Sequence, residues 1–117
     1  MGQPSDLDRV VETILVDAYG AEEEYAAFLT VLEDESQLPA AATLLGLPVT
    51  VTGFRDTDPT RGLVAVCQGP REVGEVSLAD LAFPPDTVTA WIHAAYRHYL
   101  GLQPFPARPR PDWTWPT

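Results

Sequence analysis

The hydrophobic period of this chain changes twice, and that order restricts what it can fold into. Before Pro39 the apolar residues recur at helical spacing. Between Thr43 and Leu78 they fall into short runs broken by turn formers, and from Asp86 the helical spacing returns. This pattern predicts an α+β fold: an N-terminal acidic helical hairpin (or kinked helix), a small antiparallel SH3-like rolled sheet, and a C-terminal amphipathic helix. With 117 residues there is material for one core, expected over residues 1–102. Residues 103–117 hold five prolines without periodicity and are expected to form a disordered or polyproline-like tail.

Residues 5–18 read as the first helix, with Leu7, Val10, Val11, Ile14, Leu15 and Ala18 on one face and Ser5 and Asp8 as a weak capping box. Gly20 reads as its stop signal at the C′ position, or as a kink. Residues 22–33 read as the second helix, with Tyr25, Phe28, Leu29 and Leu32 as its apolar stripe. Strands are expected at Thr43–Leu45, Val49–Phe54, Leu63–Gln68 and Val73–Leu78, with a hairpin loop at Arg55–Gly62 and a turn at Gln68–Glu72. The closing helix carries Val88, Trp91, Ile92, Ala95, Tyr96, Tyr99 and Leu100. Asp86 or Thr87 would cap its start, Gly101 would stop it, and Arg97 would sit in its last turn.

The net charge is −10, and it is local: residues 1–35 contain ten carboxylates and a single arginine. Such a field repels phosphate backbones and anionic lipid, so no nucleic acid and no membrane is expected as a partner, and basic proteins and cations are. Within "VDAYGAEEEYAAFLTVLEDE" stand Asp17, Glu22, Glu23, Glu24, Glu33, Asp34 and Glu35, with no base among them. In a helix's first turn, Glu22, Glu23 and Glu24 are each favoured by the macrodipole by about 0.3–1 kcal/mol. Glu33, Asp34 and Glu35 stand at or just past a helix C-terminus, and Asp17 ends the helix before it, where negative charge is unfavourable. A hard cation offsets that repulsion. Calcium, with six to eight oxygen ligands in loose geometry, suits a surface cluster better than magnesium, and zinc prefers Cys and His. The cluster is not an EF-hand. Asp56 and Asp58 have D-x-D spacing, but the required Gly falls on Arg61 and the twelfth position on Cys67.

The stretch "VDAYGAEEEYAAFLTVLED", a Leu-Pro step, "LGLPVTVTGF" and an Arg-Gly-Leu strand together resemble the bacterial calcium-binding proteins of the CcbP type. The resemblance covers residues 14–54 and continues more loosely through "RGLVAVCQ", "EVSLADLAFP" and "AAYRHYLGL". "LPAAA" departs from the aromatic-Pro step of that pattern. The resemblance implies Ca2+ binding through surface carboxylates and buffering of the free ion, with Asp17, Glu22, Glu23, Glu33 and Asp34 at matching positions and Glu24 and Glu35 as additions.

Catalytic patterns are lacking. His93 and His98 are five apart and do not share a helix face, so both read as surface or half-buried helix residues. Cys67 alternates with valines and reads as a packed strand residue, and no Ser-His-Asp order, phosphate loop or H-E-x-x-H occurs. Asp80 and Asp86 read as turn and cap residues, Trp91 as core, and Trp113 and Trp115 as part of the flexible terminus. The chain therefore reads as a calcium-binding buffer or sensor and not as an enzyme. The alternative is an SH3-like protein-interaction module whose acidic face steers a basic protein to the sheet, with no specific metal site. No signal peptide or membrane span is apparent, and a cytoplasmic location is expected.

Overall fold

The computed structural model describes residues 6–57, 60–69 and 73–108. Its elements are α1 (Asp6–Ile14), α2 (Ala21–Glu35), β1 (Ala40–Leu44), β2 (Leu47–Asp56), β3 (Leu63–Gln68), β4 (Val73–Ser77), a 3-10 turn (Leu78–Asp80), β5 (Leu81–Ala82) and α3 (Val88–Tyr99). The fold is α+β, as the two changes of period predict. Ser5, Asp58, Trp113 and Trp115 lie outside the described residues.

The helical hairpin forms as two separate helices. α1 is shorter than its apolar stripe: it ends at Ile14 and continues as a turn in which the Ala18 N–H donates to the Leu15 carbonyl at 3.0 Å. Gly20 has a positive φ of 89°, but with ψ 161° it is the N-cap of α2 rather than the C′ residue of α1. A C′ glycine needs the left-handed helical ψ near +47°. α2 then buries Tyr25, Phe28, Val31 and Leu32 and runs to Glu35, two residues beyond the expected end.

The five antiparallel strands pair in the order β4-β3-β2-β1-β5. The meander from β1 to β4 is followed by the 3-10 turn, and the chain then crosses to pair Leu81 with Leu44, which is the strand order of an SH3-like roll. β2 is the shared strand. Its first half pairs with β1 and its second half with β3. The two halves are joined by a bulge between Val51 and Gly53, where Thr52 has no register partner and its hydroxyl donates to the Val66 carbonyl at 3.3 Å. A bulge adds one residue and reverses the in–out alternation. Val51 and Phe54 are therefore both buried although they are three apart. β1 begins at Ala40, earlier than expected, where it pairs with Val51, and it ends at Leu44 with Leu45 outside the strand, because the β1–β2 connection is a two-residue turn at Leu45 (φ 52°) and Gly46 (φ 81°). Two consecutive positive φ values mark a type I′ turn, whose twist suits a hairpin. β5 has only two residues, too few to leave a period in the sequence.

α3 is more enclosed than an amphipathic stripe requires: every residue from Thr89 to Tyr96 is buried. It is covered by α1 and α2 and by the 3-10 turn. The Thr87 hydroxyl caps its start, accepting from the Ala90 N–H at 3.1 Å. Its end is a Schellman motif, with the Gly101 N–H on the His98 carbonyl (3.0 Å) and the Leu102 N–H on the Arg97 carbonyl (2.9 Å). Gly101 has the positive φ of 79° that this motif needs. Beyond it, Arg97 holds the following segment: Nε donates to the Gln103 carbonyl at 2.7 Å, and the guanidinium lies 4.0 Å from the Phe105 ring centroid. Residues 109–117 of the expected tail lie outside the described residues.

Two buried polar contacts lock α3 to the rest. The Tyr96 hydroxyl accepts from the Leu63 N–H at 2.9 Å, joining the helix to the start of β3. A Cβ on Gly62, whose φ is +72°, would stand 2.7 Å from that hydroxyl. His93 is 1% exposed, contrary to its reading as a surface or half-buried residue. Its ring lies between Phe83 and Phe105, and Nε2 is 2.7 Å from the Leu78 carbonyl. Burial lowers its pKa to about 4, with the nearby Arg97 charge acting the same way against the hydrogen bond to Leu78.

Gly62→Ala combines a strained φ with a clash against a buried phenol, and urea denaturation should show a loss of about 1–3 kcal/mol. The unfolded chain protonates His93 near pH 6.5, whereas the folded chain resists until about pH 4. This residue's contribution is thus present above pH 6.5 and lost as pH falls to 4, a change on the order of 3 kcal/mol. The difference in unfolding free energy between wild type and His93→Gln should carry that slope, and parallel curves for the two would refute it.

Candidate functional site

The seven carboxylates expected to hold a cation are distributed along α2 and the turn before it. Glu22, Glu23 and Glu24 occupy the first turn of α2, and Glu33, Asp34 and Glu35 occupy its last. At 1.5 Å rise per residue, Glu23 and Asp34 are about 16 Å apart along the helix axis, so the two ends cannot share one ion. Asp17 lies in the turn after α1 and lines a cleft together with Glu23. Glu35 lines a different cleft, with Gln37, Phe83 and Thr87. Among the described residues no group of three or more His, Cys, Asp or Glu side chains is placed to hold a metal ion.

The first-turn carboxylates are partly engaged in the fold. Gly20 offers no side chain to cap α2, and the Glu23 carboxylate instead ties the helix to the turn before it: Glu23 Oε1 accepts from the Tyr19 N–H at 3.1 Å, one residue ahead of the cap. Glu24 Oε1 accepts from the Tyr99 hydroxyl at 2.6 Å, tying the start of α2 to the end of α3. Beneath this bond Tyr25, Phe28, Tyr96 and Tyr99 pack as one aromatic group, with Phe28 5.5 Å from Tyr96 and 5.3 Å from Tyr99 between ring centroids. Burial pushes the Tyr99 hydroxyl well above the ordinary tyrosine range, and the hydrogen bond and charge of Glu24 push it further.

The other carboxylates differ. Asp17, Glu22, Glu33, Asp34 and Glu35 make no ion pair and no side-chain hydrogen bond among the described residues. The last turn of α2 holds no base, and Glu33 and Asp34 are exposed. These carboxylates extend the negative end of the helix dipole into solvent. All seven donors are hard oxygens, which fits calcium or magnesium and not zinc, and a shell of six to eight ligands would need backbone carbonyls and water in addition.

Other residues singled out in the sequence have structural partners. Asp56 ends β2 exposed, Asp80 lies in the 3-10 turn and Trp91 is buried. Cys67 is buried in β3, and burial raises its thiol pKa, which disfavours the thiolate. His98 Nε2 lies 2.5 Å from Asp8 Oδ1 and pins α1 to α3. Neither that pair nor the Tyr99–Glu24 bond leaves a local sequence signal, because their partners are 90 and 75 residues apart.

The Tyr99–Glu24 bond generates a measurable expectation. In Glu24→Gln the Tyr99 titration midpoint, read from the 13C shift of its Cζ against pH, should fall toward the ordinary tyrosine range without reaching it, because burial persists. An unchanged midpoint would mean that the two groups do not interact in solution.

No protein-family model matches this chain, and no curated protein sequence is similar to it. Two solved structures are similar. Anabaena CcbP matches with a TM-score of 0.70 and 19% identity, over 88% of this chain and 97% of that one. A structure described as a calcium binding protein in the calcium-binding form matches with a TM-score of 0.61 and 16% identity, over 86% of this chain and 99% of that one. The resemblance seen in the sequence is thus met at the level of the fold, over most of both chains.

Proposed function

We propose that this protein binds Ca2+ weakly through surface carboxylates and acts as a buffer or sensor of the free ion. The observation that carries this reading is the shared fold, over most of both chains, with CcbP and with a protein whose structure is described as its calcium-binding form. The distribution of charge supports it. Glu33, Asp34 and Glu35 add negative charge beside the carbonyl end of α2, and a bound divalent cation neutralises both. Among the described residues these three are not gathered into one ligand group, so the ion would be held at this end by one or two of the carboxylates completed by helix-end carbonyls and water. Glu23 and Glu24 already accept hydrogen bonds, which leaves Asp17 and Glu22 as the unengaged oxygens at the other end.

So few carboxylates per end place the affinity at the weak limit for protein sites, on the order of 10⁻⁴–10⁻³ M. Binding relieves repulsion that the fold otherwise tolerates, and a ligand that binds only the folded state raises its stability. At ten times the dissociation constant the gain is about 1.4 kcal/mol, or about 5–8 °C in Tm for a domain of this size.

The test is an amide-shift titration of EDTA-stripped protein with CaCl2 and with MgCl2 at constant ionic strength. Calcium should move residues at the two ends of α2 in a saturable way, and magnesium should act more weakly. Glu33→Gln with Asp34→Asn should abolish the response at the C-terminal end alone. Flat calorimetric heats with no thermal shift in millimolar calcium would sink the proposal.

A further inference from the structure

The corner between α1 and α2 combines an open apolar cleft with an acidic wall. The cleft, of about 450 Å³, is lined by Ile14, Val16, Ala26 and Ala27 together with Asp17 and Glu23, and no basic residue among the described residues lines it. Val16 is 66% exposed, and Tyr19 next to it in the turn is 78% exposed. The Tyr19 N–H is held by the Glu23 carboxylate, which ties the backbone of the turn to the acidic wall of the cleft. An exposed aromatic anchor next to an apolar recess has the composition of an interface centre rather than of an ordinary solvated turn.

The charge decides what can occupy it. Residues 1–35 contain ten carboxylates and one arginine, so a second copy of this chain would bring like charge to like charge. An anionic lipid surface is repelled for the same reason. A basic amphipathic segment meets both demands: its apolar side chains fill the recess, and its Lys or Arg side chains reach Asp17, Glu22 and Glu23. We propose that the α1–α2 corner, and not the SH3-like sheet, is a docking surface for a basic amphipathic segment of a partner protein, with Val16 and Tyr19 as its apolar anchors. This goes beyond calcium binding and does not require it.

The experiment uses the full chain in EDTA, with the peptide acetyl-KLLKKLLKKLLK-amide as probe and acetyl-KSSKKSSKKSSK-amide as a control of equal charge. The leucine peptide should move amides of Thr13 to Ala27 and bind at least tenfold more tightly than the serine peptide at 150 mM NaCl. Val16→Ser with Tyr19→Ser, both at exposed positions, should weaken the leucine peptide at least tenfold while leaving the circular dichroism spectrum unchanged. Asp17→Asn should weaken it less and reduce its salt dependence. Three results overturn the proposal: no binding, equal binding of the two peptides, or shifts centred on the sheet instead of the corner. Because calcium is absent throughout, failure here leaves the metal-binding reading standing, and a failed calcium titration leaves this one standing.

Discussion

The aromatic contact between α2 and α3 is the constraint on which the remaining parts depend. Phe28 meets Tyr96 and Tyr99 edge-on or tilted, and Tyr25 closes the group from the N-terminal side of α2. Edge-to-face packing of this kind sets the rotation of each helix as well as its distance from the other. The polar tips then extend the contact in two directions. Tyr96 reaches the backbone at the start of β3, and Tyr99 reaches Glu24. A single patch of rings thereby places the sheet against one helix and the acidic end of the other helix against solvent.

That arrangement divides the acidic residues into two kinds. Glu23 and Glu24 are acceptors for the fold: one closes the start of α2, and the other receives the tyrosine hydroxyl. Asp17, Glu22, Glu33, Asp34 and Glu35 have no such duty among the described residues. The helix between the two ends is rigid and 15 residues long, so its length keeps the two charged sets apart. Repulsion is thereby spread over two ends instead of being concentrated in one pocket.

Most of the architecture was legible because the strongest signals are local. The limits of β3 at Leu63 and Gln68 coincide with the expected ones, since a run of β-branched and apolar residues between two turns leaves little choice. Gly20 was read correctly as a break between helices and incorrectly as to which helix it serves. Both roles use positive φ and differ in ψ, which tertiary contacts set. The bulge at Thr52 was not read, although Gly53 beside it, a glycine inside a strand run, is the signal that could have marked it. The carboxylate cluster was legible as charge, but its division between structural and unengaged groups was not, because it depends on a tyrosine from the other end of the chain.

The two borders of the sheet have a consequence of their own. On one side the final strand, β5, has only two residues; on the other, β4 carries Glu75, which pairs with Arg55 at 2.7 Å. A short border and a charged border are poor templates for strand addition. Strand addition at either border would have to extend a two-residue strand or disturb an existing ion pair, so the order of the strands leaves the sheet few places at which another chain could join it.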